Sequence, residues 1–342
     1  SGVSLANLPV NIIDRIEIYK GVVPASLGTD ALGGAINIIT KQEKKNYLDV
    51  SYGIGSFHTH KADLNAQFVE PKTGLIIRPT VGVNYSKNDY RMKDVQMRDE
   101  SGDNFIYGNP KRFHDDYFSL LGQIEIGVAN KSWADAFFVS ASYSKTDKEL
   151  QTGAVQTKVY GMAERNSDAW NISAHYQKRN FILKNMQLNA ALSQTWDHSL
   201  TVDTTYRKYY WDGGYIDGQR NEIMGKERSM RHYKRPLTVV RANLDYKLNN
   251  HHNFNLNYHL SRTGNDRYDD LDTTFEPSND VVSKHILGFS YNQSLLEGKM
   301  ENVFFIKDYI NHPNIRQTDQ PSVTGSEAVQ GSTTKNYLGY GV

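Results

Sequence analysis

From Asn46 onward the chain alternates between apolar and polar residues, and this period of two constrains its fold more than any other feature. A β-strand points successive side chains to opposite faces, so each segment would have one apolar and one polar face. The first segment sets four apolar residues against smaller or polar ones: Leu48, Val50, Tyr52 and Ile54 against Asp49, Ser51 and Gly53. Each segment is about as long as the ~9–11 residues of a tilted membrane strand.

The lengths of the links between segments also alternate. The short links are Glu70–Gly74, Ala129–Trp133, Asn180–Asn185, Asn249–His252 and Leu296–Lys299. The long links are Lys87–Asp116, Asp147–Asp168, His198–Pro236, Thr263–Val282 and Asn311–Thr334, and only the first outer link, near Ser56–His58, is short. A soluble sheet with one exposed face could share the alternation of residues, but short turns on one side and long loops on the other favour an antiparallel transmembrane β-barrel.

The segment count predicts part of a large barrel. Eleven full segments are followed by the start of a twelfth at 336–340, whereas outer-membrane transporters with a plugged lumen have ~22 strands. We therefore expect about 11–12 of ~22 strands, with a smaller closed barrel of about twelve strands as the alternative. Pro79 lacks an N–H and predicts a bulge or a distortion in the third segment.

Composition agrees with this interpretation and excludes other classes. The net charge of +1 gives no basic field for nucleic acid, and the mean hydropathy of −0.62 is compatible with a barrel whose inner face is polar. No run of ~18 apolar residues occurs, so the sequence predicts no membrane-spanning helix. Cysteine is absent, which rules out disulfides and thiolate chemistry, and no enzymatic motif occurs, so we do not expect an enzyme.

The N-terminal 41 residues contain a second, denser signal. An alternating stretch, IIDRIEIYKG, is followed by a turn region around Pro24 and then by ALGGAINIITK. These residues resemble the end of the plug domain of TonB-dependent outer-membrane receptors, directly before the first barrel strand. The matching positions are Arg15, Glu17, Gly21, Gly28, Gly33, Gly34 and Asn37. The sequence departs from the family pattern at Val22–Pro24 and at Leu27, where an aromatic residue is common.

The resemblance implies an organisation and a function. Residues 1–41 would be the C-terminal part of a plug domain, and residues 46–342 the first half of the barrel with long extracellular loops. We expect a truncated chain, because the earlier plug strands and the N-terminal box for TonB are missing from it. The family takes up scarce nutrients actively across the outer membrane of Gram-negative bacteria, and it is driven by TonB and its inner-membrane complex.

The resemblance leaves the ligand open and implies no cofactor. A ferric siderophore is the leading expectation, ahead of haem, cobalamin and oligosaccharide, and outer-membrane lipid would surround the barrel. Alternatives from another class are a passive porin-like channel and a β-barrel adhesin. An open channel has no use for a plug motif, and conductance in planar bilayers would distinguish it.

The link His198–Pro236 holds the best candidate for ligand contact. Aromatic rings and cations are interleaved there, and this combination suits an anionic ligand with flat groups. The candidate residues are Tyr206, Arg207, Lys208, Tyr209, Tyr210, Trp211 and Tyr215. In the competing interpretation, the same residues form a hairpin whose aromatic rings pack against neighbouring loops.

Two charged groups give weaker hypotheses. An acidic cluster after the ninth segment could place several oxygens around Ca²⁺, although it lacks EF-hand spacing and also suits a hydrated loop. Its members are Asp266, Asp269, Asp270 and Asp272. In the plug-like segment, Arg15 and Glu17 share one strand face and could pair with wall charges such as Arg78, or remain hydrated.

Overall fold

The structure is a computed structural model that describes residues 13–20, 34–40, 45–99, 104–296, 299–316, 330–332 and 334–341. Within these residues the regular structure is β-strand and there is no α-helix, so the all-β prediction is confirmed. The same residues contain no helix with the length and apolarity that a membrane crossing requires.

The described chain forms nineteen strands. They are β1 (Ile13–Lys20), β2 (Gly34–Thr40), β3 (Tyr47–Gly55), β4 (Thr59–Glu70), β5 (Leu75–Ser86), β6 (Val95–Arg98), β7 (Phe105–Gly108), β8 (Tyr117–Ala129), β9 (Ala136–Glu149), β10 (Glu164–Arg179), β11 (Met186–Asp203), β12 (Arg207–Tyr209), β13 (Tyr215–Asp217), β14 (Ser229–Lys247), β15 (His252–Asp269), β16 (Ser278–Leu295), β17 (Met300–Arg316), β18 (Gln330–Ser332) and β19 (Lys335–Gly341).

One large antiparallel sheet contains most of these strands. Its order is β3-β4-β5-β8-β9-β10-β11-β14-β15-β16-β17, and both β18 and β19 pair with β17. Eleven long strands and an interrupted twelfth therefore lie side by side, as the segment count predicted. Among the described residues, β3 does not pair with β18 or β19, so the sheet is a partial, open barrel.

The two faces of the sheet differ as the alternation predicts. In β3, the side chains of Leu48, Val50 and Ile54 are between 65% and 73% exposed. On the other face, Asn65 and Gln67 of β4 are only 2% and 1% exposed. An exposed apolar face and a buried polar face reverse the pattern of a soluble protein and match a transmembrane barrel.

Aromatic residues form a row on the outward face, toward the long-loop end. Tyr143 of β9 and Trp170 of β10 have ring centroids 4.7 Å apart, and Trp196 of β11 is directly opposite Trp170. The two tryptophans are 55% and 49% exposed. Such rows occur where a barrel meets the membrane interface.

The strands continue well beyond this row, which corrects three predicted loops. β14, for example, is 19 residues long, about twice the length needed to cross a membrane. Cross-strand pairing continues past the aromatic row, and β10 and β11 stay paired up to Glu164 and Val202. The second, third and fourth long loops are therefore shorter than predicted and cover residues 150–163, 204–228 and 270–277. The first long loop, residues 87–116, has the predicted bounds.

The opposite end of the sheet has only short turns, as predicted. They lie at residues 71–74, 130–135, 180–185, 248–251 and 296–299. Gly74 has a φ of +69°, and an added Cβ would lie 2.9 Å from the Ala129 carbonyl oxygen. Only glycine suits that position, because a side chain would be strained and also crowded against backbone.

Pro79 disturbs the sheet mildly. The β4–β5 ladder has a gap between the pairs Asn65–Thr80 and Phe68–Ile77, but its register does not shift. On the other side, Pro79 still pairs with Ile124 of β8. The predicted distortion is therefore a local loss of pairing, caused by the missing N–H, and not a bulge.

The N-terminal motif forms a separate two-stranded sheet. β1 and β2 pair antiparallel, with Glu17 opposite Asn37 and Lys20 opposite Gly34. Of the plug-like positions, Gly21, Gly28 and Gly33 lie outside the described residues. The assignment of the β1–β2 sheet to a plug domain stays a prediction.

Candidate ligand site in the long loops

The first three long loops share a small apolar core. Trp211, at the tip of the β12–β13 hairpin, is 2% exposed, and its Nε1 donates a hydrogen bond of 3.0 Å to the Gln156 carbonyl oxygen. The members of this core are Met92, Val95, Val159, Tyr209 and Trp211, with Met97 packed against them. Because these residues come from three loops, the core joins the loops into one unit.

A polar contact reinforces the join between the first and third loops. Arg98 of β6 donates from Nε to Asp212 Oδ2 at 3.1 Å. Its guanidinium carbon also lies 4.2 Å from the centroid of the Tyr210 ring. Arg98 therefore contacts two neighbouring groups on the same hairpin tip, one by charge and one by cation–π attraction.

Buried carboxylates hold the backbone of the second and third loops. Asp203, which is fully buried, accepts hydrogen bonds of 2.7–2.8 Å from the N–H groups of Glu222, Ile223 and Met224. Glu222 accepts bonds from the N–H groups of Gly161 and Met162 at 2.6 and 3.1 Å. Three consecutive donors on one carboxylate fix the turn, because buried N–H groups left without acceptors are costly.

The pKa of the Glu222 carboxyl is raised above its usual range. Burial is the largest cause, because it penalises the charged form, and the nearby Asp203 carboxylate adds to it. The N–H groups of Gly161 and Met162 act in the opposite direction.

Gln151 connects the first and second loops. Its side chain is 1% exposed, and Oε1 accepts bonds from the N–H groups of Phe113 and His114 at 2.6 and 2.9 Å. Its Nε2 donates to the Tyr160 carbonyl oxygen at 2.8 Å. A single buried amide therefore ties two loops together, with its donor and its acceptor both used.

Between the second and third loops lies a cavity of about 450 Å³. Four of the side chains that line it are cations: Lys158, Arg207, Lys208 and Arg220. The carboxylate in the lining, Glu222, is occupied by the two N–H groups of the second loop. Tyr160 and Tyr209 add aromatic surface. The lining therefore suits an anionic ligand with flat or apolar parts.

The residues proposed from the sequence divide between two roles. Arg207, Lys208 and Tyr209 line the cavity, and Trp211 is buried in the loop core. Tyr209 belongs to both groups. The remaining three contact charged side chains: Tyr206 lies against Arg228, Tyr210 against Arg98, and Tyr215 against Arg207. The β12–β13 hairpin therefore contributes both to the packing between loops and to the lining of the cavity.

Sequence reasoning missed Lys158, Tyr160 and Arg220. Lys158 and Tyr160 belong to the second loop, and nothing in the sequence brings that loop to the third. Arg220 lies only five residues beyond Tyr215, the last of the candidate residues from the sequence. Its positive charge, so close to the other cations, could have added it to the candidates.

The acidic cluster is used for internal bonds. Asp269 accepts bonds from Ser229 Oγ at 2.5 Å and from the N–H of Met230 at 3.0 Å. Asp270 and Asp272 contact His232 and Arg231, and Asp266 lies opposite Lys234. In the described part of the chain, no three acidic or histidine side chains gather in a way that could hold a metal ion. Arg231 contacts both Asp269 and Asp272, at 3.3 and 3.5 Å, so the carboxylates of the cluster are used by neighbouring side chains and backbone N–H groups.

The charged side chains of the plug-like segment, and Arg78 on the inner face of the large sheet, each have partners close by. Arg15 and Glu17 form an ion pair of 2.9 Å within β1. On the inner face of the sheet, Arg78 donates to Glu125 Oε1 at 2.6 Å and to Gln67 Oε1 at 2.7 Å. The suggested pairing of Arg15 and Glu17 with the wall stays a prediction.

Curated relatives match the sequence over much of its length, whereas no protein-family model matches it. The vitamin B12 transporter BtuB of Vibrio cholerae is 25% identical over 211 residues, which are 58% of this chain and 30% of that protein. BtuB of Vibrio vulnificus is 25% identical over 253 residues, 67% of this chain and 39% of that protein. The chain therefore spans between about a third and two fifths of these relatives.

Solved structures match the fold along almost the entire chain. The siderophore receptor PiuA from Acinetobacter baumannii has a TM-score of 0.68 at 12% identity, covering 96% of this chain and 51% of that one. The ferric-catecholate import receptor Fiu from E. coli K12 has a TM-score of 0.65 at 12% identity, covering 96% and 56%. The copper transporter OprC has a TM-score of 0.65 at 12% identity, covering 97% and 48%.

These relatives are transporters and receptors and not enzymes, in line with the lack of enzymatic motifs. At 12% identity the solved structures show the fold alone, and the homology comes from the sequence match to BtuB. Together, the matches show that the chain is homologous to the vitamin B12 transporter BtuB and that its partial, open barrel has the fold of outer-membrane receptors such as PiuA and Fiu.

Proposed function

We propose that this chain belongs to a receptor that takes up a ferric siderophore across the outer membrane of a Gram-negative bacterium. The observation that carries the proposal is the cavity between the second and third long loops. Four cations and two tyrosines line it, and its one carboxylate is occupied by backbone donors. Iron chelated by oxygen ligands commonly carries negative charge, which this lining would attract and hold.

Specific geometry supports recognition of an anion. Arg207 lies 4.0 Å above the Tyr215 ring, and Lys208 Nζ lies 5.4 Å from the Tyr210 ring. The rings hold the cations in place without neutralising them, so each charge remains available to a ligand. A guanidinium can also donate two parallel hydrogen bonds to a carboxylate or to a pair of catecholate oxygens.

The proposal includes the division of the chain and its partners. Residues 1–41 would be the end of the plug domain, and residues 46–342 the first half of a barrel surrounded by outer-membrane lipid. The long loops would then be extracellular and the short turns periplasmic. TonB would drive transport through an N-terminal segment of the full-length receptor, with energy from its inner-membrane complex.

A cobalamin ligand is the second candidate, and the sequence matches to BtuB favour it. Cobalamin is large and carries little net charge, so it would gain less from a lining of four cations than an anionic iron chelate does. Binding measurements with both ligands on the same receptor therefore separate the two candidates.

The test uses the full-length receptor purified in detergent. A ferric tris-catecholate chelate and cyanocobalamin are each titrated against the receptor and against the R207A/K208A variant, with quenching of tryptophan fluorescence as the readout. We expect the ferric chelate to bind, and the variant to lose about tenfold or more in affinity, because charge-assisted bonds are lost.

The matched control is K72A/K184A, which removes two exposed lysines from the short turns. It should bind as the parent does. Equal affinity of R207A/K208A and the parent for the chelate would refute this site, and tight binding of cyanocobalamin alone would favour the second candidate. Steady conductance in planar bilayers without ligand would instead favour the passive channel.

A further inference from the structure

Toward the long-loop end of β15, β16 and β17, the outward face of the sheet carries a polar patch. Its members are Arg262, Ser283, His285 and His312. Arg262 pairs with Ser283 on the next strand, and Ser283 pairs with His312 on the strand after that. Because neighbouring strands lie ~4.8 Å apart and residues directly opposite each other share a face, these three side chains form one row. His285 lies two residues from Ser283 and therefore on the same face.

The polar patch marks the end of an apolar band on the same face. The outward residues of β15 that precede Arg262 are apolar or aromatic: Phe254, Leu256, Tyr258 and Leu260. Leu256 and its neighbour Leu287 of β16 are 44% and 49% exposed. From Phe254 to Arg262 are eight residues, or roughly 20 Å along the barrel axis for tilted strands. This approaches the ~25 Å height of the apolar band of an outer-membrane barrel, so in the proposed receptor Arg262 would lie at the level of the lipid headgroups.

The charge of Arg262 is not balanced by a neighbour. Within the described residues, its side chain is exposed and its guanidinium has no ion pair, hydrogen bond or aromatic contact. The outward carboxylates of β15–β17 are Asp266 and Asp308. Asp266 is four residues from Arg262 along β15, and Asp308 is four residues from His312 along β17, about 13 Å in each case. The patch is therefore a cationic area of the outer wall.

The two histidines of the patch can add hydrogen-bond donors. The Tyr258 hydroxyl oxygen lies 2.9 Å from His285 Nδ1, and Thr334 Oγ1 lies 2.7 Å from His312 Nδ1. When the hydroxyl donates to Nδ1, a neutral imidazole carries its proton on Nε2, which is then a free donor. The centroids of the His285 and His312 rings are 6.0 Å apart. The patch can thus offer N–H groups and the Ser283 hydroxyl beside its one fixed positive charge.

We propose that the polar patch binds the phosphate of an anionic lipid headgroup, with Arg262 as the principal contact. The inference rests on the proposed function, which places the barrel in the outer membrane. A guanidinium can donate two parallel hydrogen bonds to a phosphate, and a long arginine side chain can lay its stem along apolar residues while its charge stays in the headgroup layer. The apolar band beside the patch would contact the acyl chains of the same lipid.

The experiment measures the affinity of lipids for the full-length receptor in a neutral detergent. Phosphatidic acid and phosphatidylcholine with the same acyl chains are each titrated, and native mass spectrometry counts the bound molecules. We expect phosphatidic acid to bind more tightly, because the choline group balances the charge of the phosphate in the other lipid. R262A should lose about tenfold in affinity for phosphatidic acid, and R262K about threefold, since lysine keeps the charge but not the paired bonds.

K145A is the matched control. Lys145 also lies on the outward face, but its Nζ is 2.8 Å from Asp147 Oδ2, so its charge is already balanced. K145A should therefore bind phosphatidic acid as the parent does. The ferric chelate should bind R262A and the parent equally, because Arg262 does not line the loop cavity. Chelate binding thus tests the proposed function separately from the lipid site.

Either of two results would overturn the lipid site alone: equal affinity of R262A and the parent for phosphatidic acid, or displacement of this lipid by an equal concentration of inorganic phosphate. A receptor that retains neither lipid would contradict the membrane barrel as well. Heat-modifiable migration of R262A and R262K on gels would show that a loss of affinity does not come from misfolding.

Discussion

Arg98 and Asp212 form an ion pair across 114 residues of sequence, with Nε and Oδ2 3.1 Å apart. The pair fastens the β6–β7 hairpin of the first long loop to the tip of the β12–β13 hairpin in the third. Together with the core around Trp211, it makes the loops a single folded layer at one end of the barrel.

Replacement of Arg98 by alanine should loosen this layer locally. Arg98 loses both the ion pair and its contact with the Tyr210 ring, and we expect about fivefold faster hydrogen exchange at residues 95–98 and 210–214. The control is K111A, which removes an exposed ion pair to Asp89 at 3.5 Å within the same loop. Unchanged exchange in R98A would mean that the apolar core alone joins the loops.

Replacement of Trp211 by alanine should release the third loop while the barrel stays folded. Removing a buried tryptophan costs about 3–5 kcal/mol, and here the loss falls on the loop core. We expect proteolytic cleavage between residues 204 and 228, with heat-modifiable migration of the barrel retained. W133A, at an exposed tryptophan of a short turn, should stay resistant. Resistance of W211A would show that the core does not hold the loop.

The Arg78–Glu125 pair should stabilise the barrel wall in a way that a double-mutant cycle can measure. Both side chains are largely buried on the inner face, and R78A leaves the Glu125 carboxylate without its 2.6 Å partner. We expect R78A to lower the free energy of unfolding in urea by about 1–3 kcal/mol, and R78A/E125A to recover part of this loss. Strict additivity of the two single changes would contradict a coupled pair.

Mild acidification should stabilise the folded loops through Glu222. Its pKa is raised in the folded state, chiefly by burial, so the folded loop binds a proton more tightly than the unfolded loop does. This contribution is fully present below the unfolded pKa and is lost as the pH rises through the raised one. Titration of ¹³C-labelled glutamate by NMR should give a pKa for Glu222 above that of exposed glutamates, and E222Q should lack the signal.

The alternation of residues was enough to predict the strands and their faces. Leu48 and Val50 point outward and Gln67 points inward because a strand has a period of two, which the sequence displays directly. The ends of the strands were not predictable in the same way. Beyond Trp196, polar residues such as His198 and its partner Lys234 also occupy the outward positions, so the contrast between apolar and polar positions is weaker while the pairing continues.

Contacts between loops were beyond sequence reasoning for a different reason. Trp211 and Val159 meet because two loops leave neighbouring strands, and nothing local to either loop encodes that meeting. Likewise, Asp269 resembled part of a hydrated or cation-binding cluster, but it binds Ser229 and the N–H of Met230 across the β14–β15 pair. The chemistry of single residues was readable, whereas their partners depend on register and topology.

In the proposed receptor, the extension of the strands past the aromatic row would set the height at which a ligand first meets the protein. From Trp196 to the end of β11 at Asp203 are seven residues, or roughly 15–20 Å along the barrel axis for tilted strands. The cationic cavity lies in the loops beyond these strand ends, and in the proposed receptor it would be clear of the lipid headgroups. A dilute anion would be captured from bulk water, at a distance where the charged groups of the membrane surface are largely screened by salt.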